Sequence, residues 1–285
     1  MGKDRPVQAV VFGYHDVGVR CLRVLLDAGV EVPLVVTHRD EPGERIWFES
    51  VARLAQGNAI ETLTPDDPGA VRDRLRAIAP DFIFSFYYRR MLPLEMLSAA
   101  KKGAFNMHGS LLPKYRGRAP VNWALLKGET ETGATLHEMV AKPDAGRIVD
   151  QERVPIGPDE IALEVFRKVT DAAETVLIRS LPRLLSGTAV LRPQDLSRGS
   201  YFGGRKPEDG RIDWSKGALE IHNLVRAVAP PYPGAFTDKM KVFRTRVENR
   251  KAPHGKTGPY REGDEWFAVC GDGKVLRLLE VEPKE

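Results

Sequence analysis

Asn106 and His108 stand two positions apart at the end of a short apolar run, Gly103-Ala-Phe-Asn-Met-His108. If that run is a strand, residues i and i+2 project from one face, and an amide donor then lies beside an imidazole. The pair suits acyl transfer: the amide can hold a developing oxyanion, and the imidazole can move protons near neutral pH. A lone histidine is more often structural. The Asn-x-His spacing, followed at once by Gly109-Ser110, favours chemistry. Asp144, set between Pro143 and Ala145-Gly146, is by spacing an ordinary turn residue. It gains a role only where the fold brings it to His108, to orient the ring and stabilise its cationic form. Spacing leaves both readings open.

Three other stretches carry ligand-binding residue types. Leu111-Leu-Pro-Lys-Tyr-Arg-Gly-Arg-Ala-Pro120 holds Lys114, Arg116 and Arg118 directly after the Asn-x-His pair. These cations could grip phosphate or carboxylate; the bland alternative is a solvated basic loop. Gly13-Tyr-His-Asp-Val-Gly18 follows a strand, but lacks the G-x-G-x-x-G and G-x-x-x-x-G-K-[ST] spacings of dinucleotide and triphosphate loops. A turn entering a helix and a ligand loop explain it equally well. Residues 239–256 carry seven cations against the single acid Glu248. On a regular strand Val242, Arg244 and Arg246 share a face, with Phe243 opposite. Nucleic-acid contact is one reading, and a solvated or edge-protecting strand is the commoner one. The histidines at 15, 38, 108, 137, 222 and 254 fall singly, without metal-ligand spacing, so no metal is expected.

The elements that must position these residues alternate. Residues 7–12, 32–37, 81–86 and 103–108 read as buried parallel strands. Between them a helix is marked by Val17, Cys21, Val24 and Leu25 and ends at Gly29, and a second spans residues 50–56. This rhythm predicts an α/β doubly wound, mostly parallel sheet with sites at the carboxyl ends of its strands. A long helix runs from about residue 158 to 187, with Ile161, Val165, Val169, Ala172 and Val176 inward. Residues 187–211 are rich in glycine and poor in apolar residues, and read as a surface linker. A short helix follows, with Ile221, Leu224, Val225 and Val228 on one face. Three strands come after it, at 241–247, 265–270 and 274–281, the last two joined by Gly271-Asp272-Gly273. The expected division is a catalytic domain at 1–190, a linker at 191–204 and a small β-rich domain at 205–285.

The 285 residues are 42% hydrophobic and 29% charged, which excludes collagenous and disordered classes. A net charge of +4 does not by itself argue for nucleic acid. Cys21 and Cys270 are too few for a disulfide framework or a four-cysteine zinc site, and suit a reducing compartment. No run approaches the roughly 20 apolar residues of a membrane span, and the amino terminus does not read as a signal peptide. The expectation is a soluble cytoplasmic protein.

Phe105-Asn-Met-His-Gly-Ser-Leu-Leu-Pro-Lys-Tyr-Arg-Gly117 followed by Asp144-Ala-Gly146 resembles the signature of 10-formyltetrahydrofolate-dependent formyltransferases. Within that family the chain is most similar to the UDP-4-amino-4-deoxy-L-arabinose formyltransferases of lipid A modification and polymyxin resistance. Further segments carry the likeness: Phe12-Gly-Tyr-His-Asp16, Thr37-His38, Pro42-Gly43-Glu44, Phe84-Ser-Phe-Tyr-Tyr-Arg89, Gly128-Glu-Thr-Glu-Thr-Gly133, Arg226-Ala-Val-Ala229 and Pro233-Gly-Ala-Phe236. The likeness runs from about residue 7 to the Cys270–Gly273 turn. It implies a Rossmann-like formyltransferase domain followed by a small, OB-like β domain. It implies 10-formyltetrahydrofolate as co-substrate, Asn106 as oxyanion donor, His108 as proton-transfer residue and Asp144 as its orienting carboxylate. Folate contacts would fall on Arg90, Met91, Leu92, Arg118, Val140, Ala141, Lys142, Pro143 and Asp144. The nucleotide sugar would lie near Tyr14, His15, Lys114, Tyr115, Arg205 and Lys206, the last two placed by charge and position. The relatives usually carry a second domain, an oxidative decarboxylase acting on UDP-glucuronic acid, which has no counterpart in these residues.

Three functions compete: a nucleotide-sugar N-formyltransferase, methionyl-tRNA formyltransferase, and a noncatalytic folate-binding relative. The resemblance separates the first two at one loop, which in the tRNA enzymes typically reads R-G-A-A-P and here reads Arg116-Gly-Arg-Ala-Pro120. A net charge of +3 over residues 204–285 is low for gripping tRNA. The presence of Asn106, His108 and Asp144 argues against a noncatalytic protein. The expected partners are therefore folate and a nucleotide-linked amino sugar such as UDP-4-amino-4-deoxy-L-arabinose or another UDP- or dTDP-amino sugar, with no nucleic acid and no membrane insertion.

Overall fold

Strands covered on both faces need apolar side chains throughout, and Ala9, Val10, Val11 and Phe12 meet that need with no exposed surface. In the computed structural model, which describes residues 5–40, 43, 46–253 and 255–283, the chain runs β1 (Gln8–Gly13), α1 (His15–Asp27), β2 (Glu31–Val36), α2 (Val51–Gly57), β3 (Glu61–Leu63), α3 (Arg72–Ile78), β4 (Phe82–Phe86), α4 (Leu94–Leu97) and β5 (Gly103–His108). It continues through β6 (Arg116–Gly117), α5 (Pro120–Leu126), β7 (Glu131–Glu138), β8 (Ile148–Pro155), α6 (Ala162–Leu185) and β9 (Tyr201–Phe202). The remainder is α7 (Ala218–Val228), β10 (Ala235–Phe236), β11 (Met240–Glu248), β12 (Gly258–Glu262), β13 (Glu265–Val269) and β14 (Val275–Pro283). Pro42, Glu44 and His254, quoted above, lie outside the described residues. Two compact units result. The first holds the residues through Arg116, Gly133–Arg153 and Val169–Tyr201; the second holds Gly117–Thr132, Val154–Lys168 and the residues from Phe202 onward.

The larger sheet has the order β3-β2-β1-β4-β5-β7-β8. Its first five strands pair in parallel, and β7 pairs antiparallel with β5. The strand order reverses between β1 and β4, where α/β sheets open a crevice at the carboxyl ends of their strands. Tyr14 spans that point, its N–H donating to the Phe86 carbonyl at 3.0 Å. Below it Phe12, Leu34, Ile83, Tyr88, Leu92 and Met96 pack in one apolar cluster. Gly18 has a packing reason of its own: a Cβ there would lie 2.8 Å from Val51 Cγ2 and 3.2 Å from the Gly13 carbonyl carbon. Its absence lets α1 close on the end of β1 and on α2.

The second unit carries a five-stranded sheet, β10-β11-β14-β13-β12, antiparallel at every described pairing. The Gly271–Gly273 turn joins β13 to β14, with Gly273 left-handed at φ +75°. α7 is buried on more than the expected apolar stripe. His222 bonds Thr245 Oγ1 at 2.8 Å and accommodates the Pro158 carbonyl at 2.9 Å, while the buried Arg226 donates to Asn223 and the Gly157 carbonyl. The shared face expected for Val242, Arg244 and Arg246 does not form. The β11 ladder slips twice between Val242 and Thr245, so those two residues point inward and Arg246 is exposed. β11 also lies between β10 and β14 instead of guarding an edge. Arg244 pairs with Glu164 at 2.6 Å, and Arg250, beyond the end of the strand, with Glu262 at 2.8 Å. Residues 187–211 carry local structure, including β9, the 3₁₀ turns Leu196–Arg198 and Pro207–Gly210, and a two-way backbone bridge between Arg192 and Ile148.

Candidate active site

The end of β5 places Asn106 and His108 on one side, as the i, i+2 spacing requires, and the structure brings Asp144 to both. The Asp144 Oδ1 lies 3.5 Å from Asn106 Nδ2 and 3.6 Å from His108 Nδ1. A third group joins them. His137 is the direct antiparallel partner of Asn106 on β7, and such facing pairs touch across a ladder. Its Nε2 is 3.1 Å from Asn106 Nδ2 and 3.4 Å from Asp144 Oδ1. The histidines do not all fall singly, because the sheet gathers 108 and 137 around one carboxylate.

Carbonyl partners fix the tautomers, since a carbonyl only accepts. His108 Nε2 lies 2.8 Å from the Tyr115 carbonyl, so Nε2 carries the hydrogen and the lone pair of the neutral ring sits on Nδ1, facing Asp144. His137 Nδ1 lies 2.9 Å from the Glu138 carbonyl, so its Nε2 accepts from the Asn106 amide. Asn106 spends one N–H on His137. The other faces Asp144 at 3.5 Å, too long for a strong bond. His108 itself is buried, with 6% of its surface exposed. The arrangement therefore offers one base nitrogen, one lightly held amide hydrogen and a carboxylate placed to stabilise the ring when it takes a proton.

The supporting loops are tied down. Tyr115 adopts φ +58° and Asp144 φ +50°, left-handed conformations uncommon away from glycine. Beneath the loop after β5, buried Thr135 donates from Oγ1 to the Ser110 carbonyl at 2.6 Å, and Ser110 Oγ donates to the Lys114 carbonyl at 2.7 Å. The neck of the loop between β7 and β8 is closed by Arg147 on Glu138, two bonds of 2.9 Å that hold the Glu138 carboxyl below its usual range. Gly146 packs on that neck. A Cβ there would fall 1.9 Å from the Glu138 carbonyl oxygen. Gly146→Ala is expected to lose about 1–3 kcal/mol of stability through overpacking, read as a lowered urea midpoint, together with most of the turnover.

Two sequence profiles match the chain, one described as formyl transferase over residues 11–181 and one as formyl transferase, C-terminal domain, over residues 205–285. The chain belongs to the formyl transferase family. Solved structures share its fold. An N-formyltransferase from Helicobacter canadensis, in complex with folinic acid and dTDP-3-aminofucose, is 22% identical with a TM-score of 0.79, and the match covers 98% of this chain and 100% of that one. WlaRD, a sugar 3N-formyl transferase solved with dTDP and 5-N-formyl-THF, is 21% identical with a TM-score of 0.78, covering 96% and 98%. A 4-N formyltransferase from Francisella tularensis is 21% identical with a TM-score of 0.65, covering 79% and 90%.

In this formyltransferase the other candidate residues stand as follows. Tyr14 is buried after β1 and donates from its hydroxyl to Asp40 at 2.9 Å, with the Arg89 guanidinium 4.6 Å from its ring centre. His15 stacks on Phe48 at 3.9 Å between ring centres, and burial together with nearby Arg89 lowers its pKa to about 3. His15 is thus a neutral ring at any physiological pH. Arg90 and Met91 are exposed after β4, whereas Leu92 is buried in the apolar cluster. Val140, Ala141, Lys142 and Pro143 form the rim of the Asp144 loop. Lys114 is exposed; Tyr115 is buried and serves the site through its carbonyl. Arg116 is 7% exposed, and its Nε and Nη1 have no hydrogen-bond partner among the described residues. In the second unit, Arg118 and Lys206 are exposed, and Arg205 lies 5.1 Å from the Trp123 ring centre. Sequence reasoning missed His137, Gln194 and Ser200, none of which sits in a motif.

Proposed function

We propose that this formyltransferase transfers a formyl group from 10-formyltetrahydrofolate to the amine of a nucleotide-linked amino sugar, with UDP-4-amino-4-deoxy-L-arabinose the first substrate to test. The observation that carries the reading is the convergence of Asn106, His108 and Asp144 within 3.6 Å of one carboxylate oxygen. The formyl donor supplies an electrophilic carbon on N10. Asn106 donates its lightly held N–H to the formyl oxygen as charge gathers there. His108 Nδ1 takes the proton that the sugar amine loses as the new C–N bond forms, and returns a proton to N10 as the old bond breaks. Asp144 stabilises the ring between the two transfers. No covalent bond to the protein is needed.

The fold likeness to sugar N-formyltransferases supports the acceptor class, as does the Arg116-Gly-Arg-Ala-Pro120 loop. Arg116 suits an anionic ligand group, because a buried guanidinium with unspent donors is costly until it meets one. Arg90, Met91, Leu92, Arg118 and residues 140–144 are the proposed folate contacts; Tyr14, His15, Lys114, Tyr115, Arg205 and Lys206 are the proposed sugar-nucleotide contacts. The proposed functional division is 1–190, 191–204 and 205–285, which contains the profile matches at 11–181 and 205–285. The pairing of Arg244 with Glu164 and of Arg250 with Glu262 weighs against tRNA. Among the described residues no helix is long and apolar enough to cross a membrane; the protein is proposed to act in the cytoplasm.

A thermal-shift panel of UDP- and dTDP-amino sugars, with and without 10-formyltetrahydrofolate, tests the reading. A ligand that binds only the folded state at 100 times its Kd adds about 2.7 kcal/mol, so a true substrate raises Tm by several degrees and is formylated. Efficient formylation of initiator methionyl-tRNA, with no sugar nucleotide turned over, would overturn it.

A further inference from the structure

Residues 192–200 are bonded to both loops that hold the proposed machinery. Gln194 Nε2 donates to the carbonyl of Asp144 at 3.1 Å and to that of Gly146 at 2.6 Å. Both partners are acceptors, so the amide orientation is fixed. Six residues on, Ser200 takes hold of the other loop. Its Oγ accepts from the Tyr115 N–H at 2.8 Å, its carbonyl accepts from the Arg116 N–H at 3.0 Å, and its own N–H donates to the Pro113 carbonyl at 3.2 Å. The stretch is anchored upstream by reciprocal bonds between Arg192 and Ile148, at 2.7 and 2.8 Å.

We propose that this segment is a brace that sets the separation of His108 from Asp144, with Gln194 and Ser200 as its positioning residues. The inference rests on the catalytic reading of that pair. His108 is held through the Tyr115 carbonyl, and Asp144 is held through the carbonyls on and beside it. Tyr115 and Asp144 are both left-handed, and strained backbone persists where its surroundings over-determine it. Gln194 and Ser200 supply that restraint at the two residues whose backbone aims the pair. The Nδ1–Oδ1 gap of 3.6 Å is short enough for Asp144 to meet the ring when it is cationic, and a small drift of either loop opens it.

Steady-state kinetics on the full chain test the brace, with 10-formyltetrahydrofolate and whichever UDP- or dTDP-amino sugar the wild type turns over fastest. Gln194→Ala and Ser200→Ala are expected to lower kcat by roughly 10- to 100-fold, as slight misplacement of reacting groups does, with KM for the folate nearly unchanged. Ser200→Thr keeps the hydroxyl and should restore turnover. Gln194→Met keeps the volume and should lose kcat as alanine does, with Tm lowered only by the two carbonyls left without a donor. On an Asp144→Asn background, Gln194→Ala should cost about twofold or less, since residues acting through one group are not additive. Wild-type kcat in Gln194→Met, or an undiminished loss on the Asp144→Asn background, would overturn the brace. Wild-type turnover in Asp144→Asn alone would instead overturn the catalytic reading beneath it.

Discussion

Asp144→Asn is expected to lower kcat by roughly 10³-fold or more, on the scale that loss of an orienting carboxylate has in other imidazole-dependent sites. The cause can be read from the tautomers. His108 has committed Nε2–H to the Tyr115 carbonyl, so only Nδ1 can act as base, and that nitrogen faces Asp144 Oδ1 at 3.6 Å. Asparagine keeps the size but removes the charge that stabilises the ring once it is protonated. In one orientation its amide N–H would also donate to Nδ1 and occupy the lone pair the reaction needs. In the other, an uncharged oxygen remains. Both orientations impair catalysis while leaving the loop in place, so KM for the folate should change far less than kcat. The double variant His108→Ala/Asp144→Asn should be scarcely slower than His108→Ala alone, because the two groups act as a unit. Losses that multiply independently would confine Asp144 to shaping its loop.

Much of this site is legible from residue order, and the reasons divide along physical lines. Strands β1, β2, β4 and β5 announce themselves because a parallel sheet covered on both faces demands apolar runs. The i, i+2 relation of Asn106 to His108 follows from strand period alone. β7 gives no such signal. Its buried positions include Thr132, Gly133, Thr135 and His137, small or polar residues that break any apolar run. His137 is accordingly isolated in the sequence, and only the β5–β7 pairing sets it opposite Asn106. The β11 bulge is hidden for a related reason: alternation forecasts a regular strand, and the slip between Val242 and Thr245 is decided by the β14 partner. The brace reads as linker because it lies in a polar stretch poor in apolar residues, yet the polarity of Gln194 and Ser200 is what lets them bond two loops.

Asn106→Ala is expected to lower kcat by about 10²–10³-fold, the usual cost of deleting one oxyanion donor. The amide has two hydrogens in unequal situations. One is held by His137 Nε2 at 3.1 Å, which fixes the plane of the group; the other points toward Asp144 at 3.5 Å and is the one left to donate to a developing negative charge. Alanine removes both. It also strips His137 Nε2 of its donor, so a buried acceptor loses its partner and the fold should lose about 1–3 kcal/mol. Stability must therefore be measured beside rate. Asn106→Asp separates the two effects. It preserves volume but sets a second carboxylate beside Asp144, where like charges repel, and offers an acceptor to an oxygen that needs a donor. It should be at least as slow as Asn106→Ala. If Asn106→Ala keeps near-wild-type kcat while its Tm falls, the amide serves only to hold His137, and the oxyanion must be met by another donor.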